Sequence, residues 1–181
     1  MSAYVREAYR LTDRDLVRAA QAGDEHALDA LLRALADELL PLASALAGAS
    51  ADADVLVGDT LSRVYERLTD LREPGAASGW ARRVLVRRFI DGRRWSLRRP
   101  TYRLDAVTVA AELGTRPELI DLRDAVRDLR REDRALLVLH YWQGLSIAEC
   151  ARELGVPDGT AKSRLAKALE RLRRRLGEAD R

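Results

Sequence analysis

The sequence predicts an all-α protein: two small helical domains joined by an extended linker. Three observations carry this. Apolar residues make up 47% of the 181-residue chain but aromatics only 5%, and the apolar set is mostly Leu, Ala and Val. That composition favours helices over sheets. Leucines recur in stripes at helical spacing. Between residues 96 and 117 the periodicity lapses and Pro100, Gly114 and Pro117 interrupt the chain. That stretch reads as a linker between domains at 11–95 and 118–177, with an N-terminal tail at 1–10.

The first domain starts with a short helix from Asp13 to Ala22, with Leu16, Val17 and Ala20 inward and Gly23 ending it. Asp24 caps a longer helix to about Ala47. Its expected buried stripe is Leu28, Leu31, Leu32, Leu35, Leu39, Leu42 and Leu46, with a bend at Pro41. Small residues from Gly48 to Asp52 suggest a break. The third helix, about Ala53 to Leu68, buries Val57, Leu61, Val64 and Leu68 and exposes Asp59, Ser62, Arg63 and Glu66. Thr69 to Gly79 reads as a loop, since Pro74, Gly75 and Gly79 oppose a helix. A fourth helix, about Trp80 to Trp95, is anchored by Trp80, Val84, Leu85 and Phe89. Arg82, Arg83, Arg87, Arg88, Arg93 and Arg94 cover much of the rest. So many like charges at i, i+4 spacing repel one another, and a polyanion would relieve them.

In the second domain Leu119, Leu122, Ala125, Val126 and Leu129 should face inward on one helix. Arg131 to Trp142, with Leu136, Leu137, Leu139, Tyr141 and Trp142, forms the next. Gln143-Gly144 turns the chain. Ser146 and Glu149 then make a capping box for a short helix through Ile147, Ala151 and Leu154. Gly155 supplies a left-handed stop, and Pro157-Asp158 open a last helix to Leu176. Lys162, Arg164, Lys167, Arg171, Arg173, Arg174 and Arg175 make that helix basic against Asp158 and Glu170. Short helix, tight turn and basic helix, in this order, are the elements of a helix-turn-helix that enters the DNA major groove. The bland alternative is a solvated basic helix in a bundle.

Charge is unevenly placed. Residues 1–79 hold 8 basic and 14 acidic residues, a net of −6; residues 80–103 hold 9 Arg and one Asp, a net of +8. An acidic protein-facing part and basic nucleic-acid-facing parts are expected. Cys150, the sole cysteine, excludes an internal disulfide and a cysteine zinc site, and its place among apolar residues suggests packing. His26 and His140 lack partners at ligand spacing. No phosphate loop, HExxH or nucleophile elbow is present, so no catalytic residue, metal site or cofactor is expected. No signal peptide and no apolar run near 18 residues appear, which suggests a cytoplasmic protein without membrane insertion.

Three blocks together carry a family resemblance. Val55-Leu56-Val57-Gly58-Asp59-Thr60-Leu61-Ser62-Arg63-Val64-Tyr65 resembles one helix of the bacterial sigma factors of the extracytoplasmic-function (ECF) class. Trp80-Ala81-Arg82-Arg83-Val84, with Ile90-Asp91 and Arg93-Arg94, is similar to the next. Tyr141 to Ser146, then Glu149, Ala151, Leu154, Gly155 and Gly159 to Leu165, looks like their closing motif. The resemblance spans roughly Leu11 to Leu176. Gly58 departs from it, standing where the family commonly has Gln, and the linker is net positive where the family's is often acidic.

The resemblance implies that residues 11–95 are region 2, a helical bundle, and residues 118–177 region 4, a four-helix helix-turn-helix domain. Region 2 would dock on the clamp helices of core RNA polymerase through Asp59, Ser62, Arg63 and Glu66. It would capture the melted −10 non-template strand with Ser78, Trp80, Arg82, Arg83 and Arg87, and the loop 69–79 would receive a flipped base. Region 4 would meet the polymerase flap and read the −35 duplex with Thr160, Lys162, Ser163, Arg164, Lys167 and Arg171. An anti-sigma factor is a usual further partner in that family. The main rival is a stand-alone dimeric helix-turn-helix regulator that binds palindromes without polymerase.

Overall fold

The computed structural model describes residues 14–47, 50–92 and 117–179. Helices α1 (14–21), α2 (Glu25–Ala47), α3 (Ser50–Glu66) and α4 (Ala77–Asp91) form the first group. Helices α5 (Pro117–Arg127), α6 (Arg131–Leu137), α7 (Ile147–Leu154) and α8 (Asp158–Ala179) form the second. No strand occurs among the described residues. The expected N-terminal tail, the linker before Pro117, and Arg93, Arg94 and Trp95 lie outside the described residues.

The Asp24 carboxylate caps α2 by accepting the His26 and Ala27 N–H groups at 2.9 and 3.0 Å. The helix runs unbroken through Pro41. Its buried stripe is Ala27, Leu31, Leu35, Leu39, Leu42, Ala43 and Leu46, while Leu28 and Leu32 are half-buried. Each fully buried Leu contributes about 1.5–3 kcal/mol by leaving water. Helix α3 starts earlier than expected: Ser50 to Asp52, part of the expected break, are already helical, and Gly48 and Ala49 lie outside the described residues. Ala53, Leu56, Val57 and Val64 are its buried contacts, with Leu61 half-buried. Thr60 is buried too, its hydroxyl donating to the Leu56 carbonyl at 2.7 Å.

The connection from α3 to α4 is shorter than the sequence suggests. Two 3₁₀ turns, Leu68–Asp70 and Pro74–Ala76, fill it, and Gly79 lies inside α4. Pro74 is tolerated at the first position of its turn, where its missing N–H costs nothing. Gly79 falls in the first helical turn, where the penalty of glycine is small. Gln21 on α1 ties the connection down, donating to the carbonyls of Leu68 and Leu71 at 2.8 Å each. A Cβ at Gly75 would stand 2.6 Å from Arg14 Nε, so a side chain there would displace the exposed end of Arg14.

Helix α4 buries Ala77, Ala81, Leu85, Val86 and Phe89. Val84 is only half-buried and Trp80 packs part-buried on the core's edge. The buried stripe therefore lies round the helix from the one expected, with Ala81 and Val86 in place of Trp80 and Val84. In the second group Ala125, Leu129, Ala168 and Leu172 make a small core between α5 and α8. Leu122, expected inward, is exposed. Tyr141 and Trp142, expected within a helix, are also exposed, at 60% and 48%. There α6 widens into a π turn at Val138–Trp142, which changes the angle at which later side chains leave the axis.

The two groups are not independent. One apolar cluster runs from α1–α4 through Ala135, Leu136, Val138 and Leu139 to Cys150, Ala151, Ala161 and Leu165. Helix α4 packs against both α6 and α7.

Candidate nucleic-acid interface

The helix-turn-helix forms by local rules. Ser146 Oγ accepts the Glu149 N–H at 3.2 Å, and Glu149 Oε2 accepts the Ser146 N–H at 2.8 Å. The Ser146 hydroxyl also donates to Glu149 Oε2, at 2.7 Å. These bonds hold the Glu149 carboxyl below its usual range, the side-chain bond most. Gly155 sits at φ 66°, in the left-handed region that ends α7. Cys150 and Ala151 are fully buried beneath it. Burial pushes the Cys150 thiol up to about 11.

Helix α8 buries Ala161, Leu165, Ala168 and Leu172, a clean stripe at helical spacing. Lys162, Ser163 and Lys167 are exposed; Thr160 and Arg164 are half-buried. The Ser163 hydroxyl donates to the Thr160 carbonyl at 3.1 Å, which keeps it along the helix. Arg171 turns to α6 instead. Its Nη1 lies 3.0 Å from Oδ2 of Asp133, a carboxylate only 1% exposed. Arg130 holds the same carboxylate at 3.0 Å. Arg171 thus bridges α8 to α6.

On α3, Asp59, Ser62 and Glu66 are exposed and Arg63 half-buried, an outward polar stripe as expected. Arg63 pairs with Glu66 at 2.9 Å. Asp59 approaches Arg88 of α4 at 3.9 Å, which links this stripe to the Arg-rich helix. On α4, Arg87 is exposed, while Ser78 and Trp80 are half-buried in the first turns. Arg82 and Arg83 converge on one carboxylate oxygen, Glu153 Oε1 of α7, at 3.7 and 3.8 Å. The structure therefore separates α8's basic face, which is open, from α4's, part of which is covered by the other domain.

Residues 31–99 match the family Sigma-70 region 2, and residues 119–172 match Sigma-70, region 4. The chain is 36% identical over 167 residues to the ECF RNA polymerase sigma factor SigM of Mycobacterium tuberculosis, which covers 92% of this chain and 85% of that one. The chain belongs to the ECF RNA polymerase sigma factors. Its fold is similar to that in the structure of CnrH in complex with the cytosolic domain of CnrY, with TM-score 0.63, 25% identity, and coverage of 94% of this chain and 99% of that one. It also resembles the sigma factor RpoE, solved with the anti-sigma factor NepR from Bartonella quintana: TM-score 0.59, 23% identity, 83% and 96% covered.

For this sigma factor, sequence reasoning placed the helix-turn-helix, the Arg-rich helix and the polar stripe. It missed Asp133 and Glu153, the acids that organise the charges. Glu153 lies three residues beyond Cys150 and Asp133 three before Leu136, so both sit at core-facing positions of their helices. An acid at such a position signals a buried partner. Among the described residues, no cluster of His, Cys, Asp and Glu is placed to hold a metal, and no helix is long and apolar enough to cross a membrane.

Proposed function

We propose that this sigma factor recognises promoters at two points while bound to core RNA polymerase. Residues 118–177 act as the duplex reader, with Lys162, Ser163, Arg164 and Lys167, and Thr160 beside them, facing the −35 element. Residues 11–95 act as the docking and melting domain, and residues 96–117 join the two. Asp59, Ser62, Arg63 and Glu66 contact the polymerase clamp; Arg82, Arg83 and Arg87, with Ser78 and Trp80, follow the −10 non-template strand. The observation that carries this is the pairing of a correctly capped helix-turn-helix, whose α8 basic face is open, with a second Arg-rich helix in the same chain. Polymerase holds the two weak binders at fixed separation, so the second contact gains effective concentration from the first. The protein works as a non-enzymatic subunit in the cytoplasm. An anti-sigma factor of the kind seen with the similar fold of RpoE is a further partner in this scheme.

Run-off transcription with purified core polymerase and a promoter library tests this. Promoter-specific initiation is expected. Its absence, with the core shown active by another sigma factor, would overturn the proposal, and tight palindrome binding by a dimer without core would favour the stand-alone regulator. Arg82→Ala with Arg83→Ala should impair open-complex formation more than core binding. Asp59→Ala should do the reverse, although it also frees Arg88.

A further inference from the structure

We infer that Asp59 and Arg88 work as a hand-over: polymerase takes Asp59, and the arginine so released becomes a further contact to the −10 non-template strand. This rests on the proposed docking role of Asp59. Arg88 Nη1 of α4 lies 3.9 Å from Asp59 Oδ2 of α3. The pair therefore ties together two surfaces with different proposed partners, the polar stripe of α3 and the Arg-rich face of α4. Arg87, the next residue on α4, is exposed and already assigned to the strand.

The bridge is weak by construction. At 3.9 Å it is beyond hydrogen-bond reach, whereas Arg63 and Glu66 of the same stripe meet at 2.9 Å. Its side chains are 40% and 51% exposed, so water screens the attraction. Breaking such a pair shifts an equilibrium by no more than about fivefold. Nor does the pair hold the fold. Helices α3 and α4 pack on each other, and Val57 and Val64 of one share a buried core with Ala81 and Leu85 of the other. The helices stay in place when the bridge opens, and only the Arg88 side chain has to move.

A half-exposed carboxylate keeps open lone pairs for a second donor. A polymerase cation that reaches Asp59 at roughly 2.7–2.9 Å forms a stronger, charge-assisted bond and, being of like charge, repels Arg88. Arg88 is then a guanidinium without its counter-charge beside Arg87, where a strand phosphate is the nearest anion. The coupling is reciprocal. A strand that holds Arg88 leaves Asp59 free for polymerase, so docking and strand capture strengthen each other by the same factor.

Two measurements on the full-length chain test this, both followed by fluorescence anisotropy. One is affinity for core polymerase. The other is capture of a −10 non-template oligonucleotide by the assembled holoenzyme across a salt series. Arg88→Ala frees Asp59 and should tighten core binding about two- to fivefold. In holoenzyme the same variant should lower the slope of log K against log salt by about 0.7, the share of one single-strand phosphate contact. Arg88→Lys keeps the charge and should keep the slope. In an Asp59→Asn background, Arg88→Ala should no longer change core affinity, because no carboxylate remains to be released. Circular dichroism checks that each variant is folded. If Asp59→Asn binds core as tightly as wild type, the docking role of Asp59 falls and the hand-over falls with it. If Asp59→Asn weakens core binding while Arg88→Ala leaves either core affinity or the salt slope unchanged, docking stands and the hand-over alone is wrong. Weaker core binding by Arg88→Ala would also overturn it, by making Arg88 a polymerase contact.

Discussion

Arg171→Ala separates a packing role from a DNA role for a residue that sequence alone would assign to the −35 interface. Asp133 is 1% exposed and carries its negative charge between Arg171 Nη1 at 3.0 Å and Arg130, whose Nε and Nη2 lie at 3.0 and 3.3 Å. Removing Arg171 deletes one of three bonds to a buried carboxylate. A hydrogen bond to a charged group is worth about 1.5–3 kcal/mol. Arg171 is 45% exposed, so water screens it and can refill the vacated site. The expected loss is about 1–2 kcal/mol. At roughly 2–4 °C per kcal/mol for a unit of this size with one shared core, the transition should fall by roughly 2–8 °C. Thermal unfolding followed by circular dichroism measures this. Binding to a −35 duplex across a salt series supplies the contrast, since each phosphate contact contributes about 0.9 to the slope of log K against log salt. Arg171→Ala should leave that slope unchanged, and Lys167→Ala should reduce it by about 0.9 while leaving the melting temperature alone. An unchanged melting temperature with a reduced slope for Arg171→Ala would refute the packing role.

Gly155→Ala should destabilise by about 1 kcal/mol in urea unfolding, because φ 66° costs a side chain about 1–2 kcal/mol and a stiffer unfolded chain returns about 0.4–1. No atom crowds the new Cβ, so backbone strain alone sets the sign, and Gly159→Ala, equally uncrowded but helical, should be stabilising. Cys150 should react slowly with a thiol reagent at neutral pH. Because its folded value is raised, its contribution to stability is intact below about 9.0 and lost as pH climbs toward about 11, at about 1.4 kcal/mol per unit, and Cys150→Ala should flatten that decline. Leu136→Ala, in the core shared by the two helix groups, should cost about 2–5 kcal/mol and lower the transitions of both groups together; separate behaviour would mean that the shared core adds little.

What could be read from the chain follows how far each interaction reaches along it. Ser146, Glu149, Gly155 and Asp158 act within one or two turns, so the helix-turn-helix was legible residue by residue, as was α8 with its stripe of Ala161, Leu165, Ala168 and Leu172. Helix α4 was harder. Its arginines and small residues leave several phases nearly equal, and packing against α2, α3, α6 and α7 chose Ala77, Ala81, Leu85, Val86 and Phe89. Tyr141 and Trp142, placed by the sequence in the helix before the motif, stand exposed on a π turn that the periodicity did not show.

By itself the sequence determined an all-helical chain, the place of its caps and stops, and the family to which it belongs. The first two depend on periodicity and on short side chains bonding neighbouring backbone, the last on the resemblance of three motifs to those of known sigma factors. Only the tertiary structure decided which charges are buried and with whom: Asp133 with Arg130 and Arg171, Glu153 with Arg82 and Arg83, and Arg131 and Arg134 over Phe89. The reason is physical. The worth of a charge depends on its distance to a partner and on the water excluded around both, and neither quantity exists until distant segments pack.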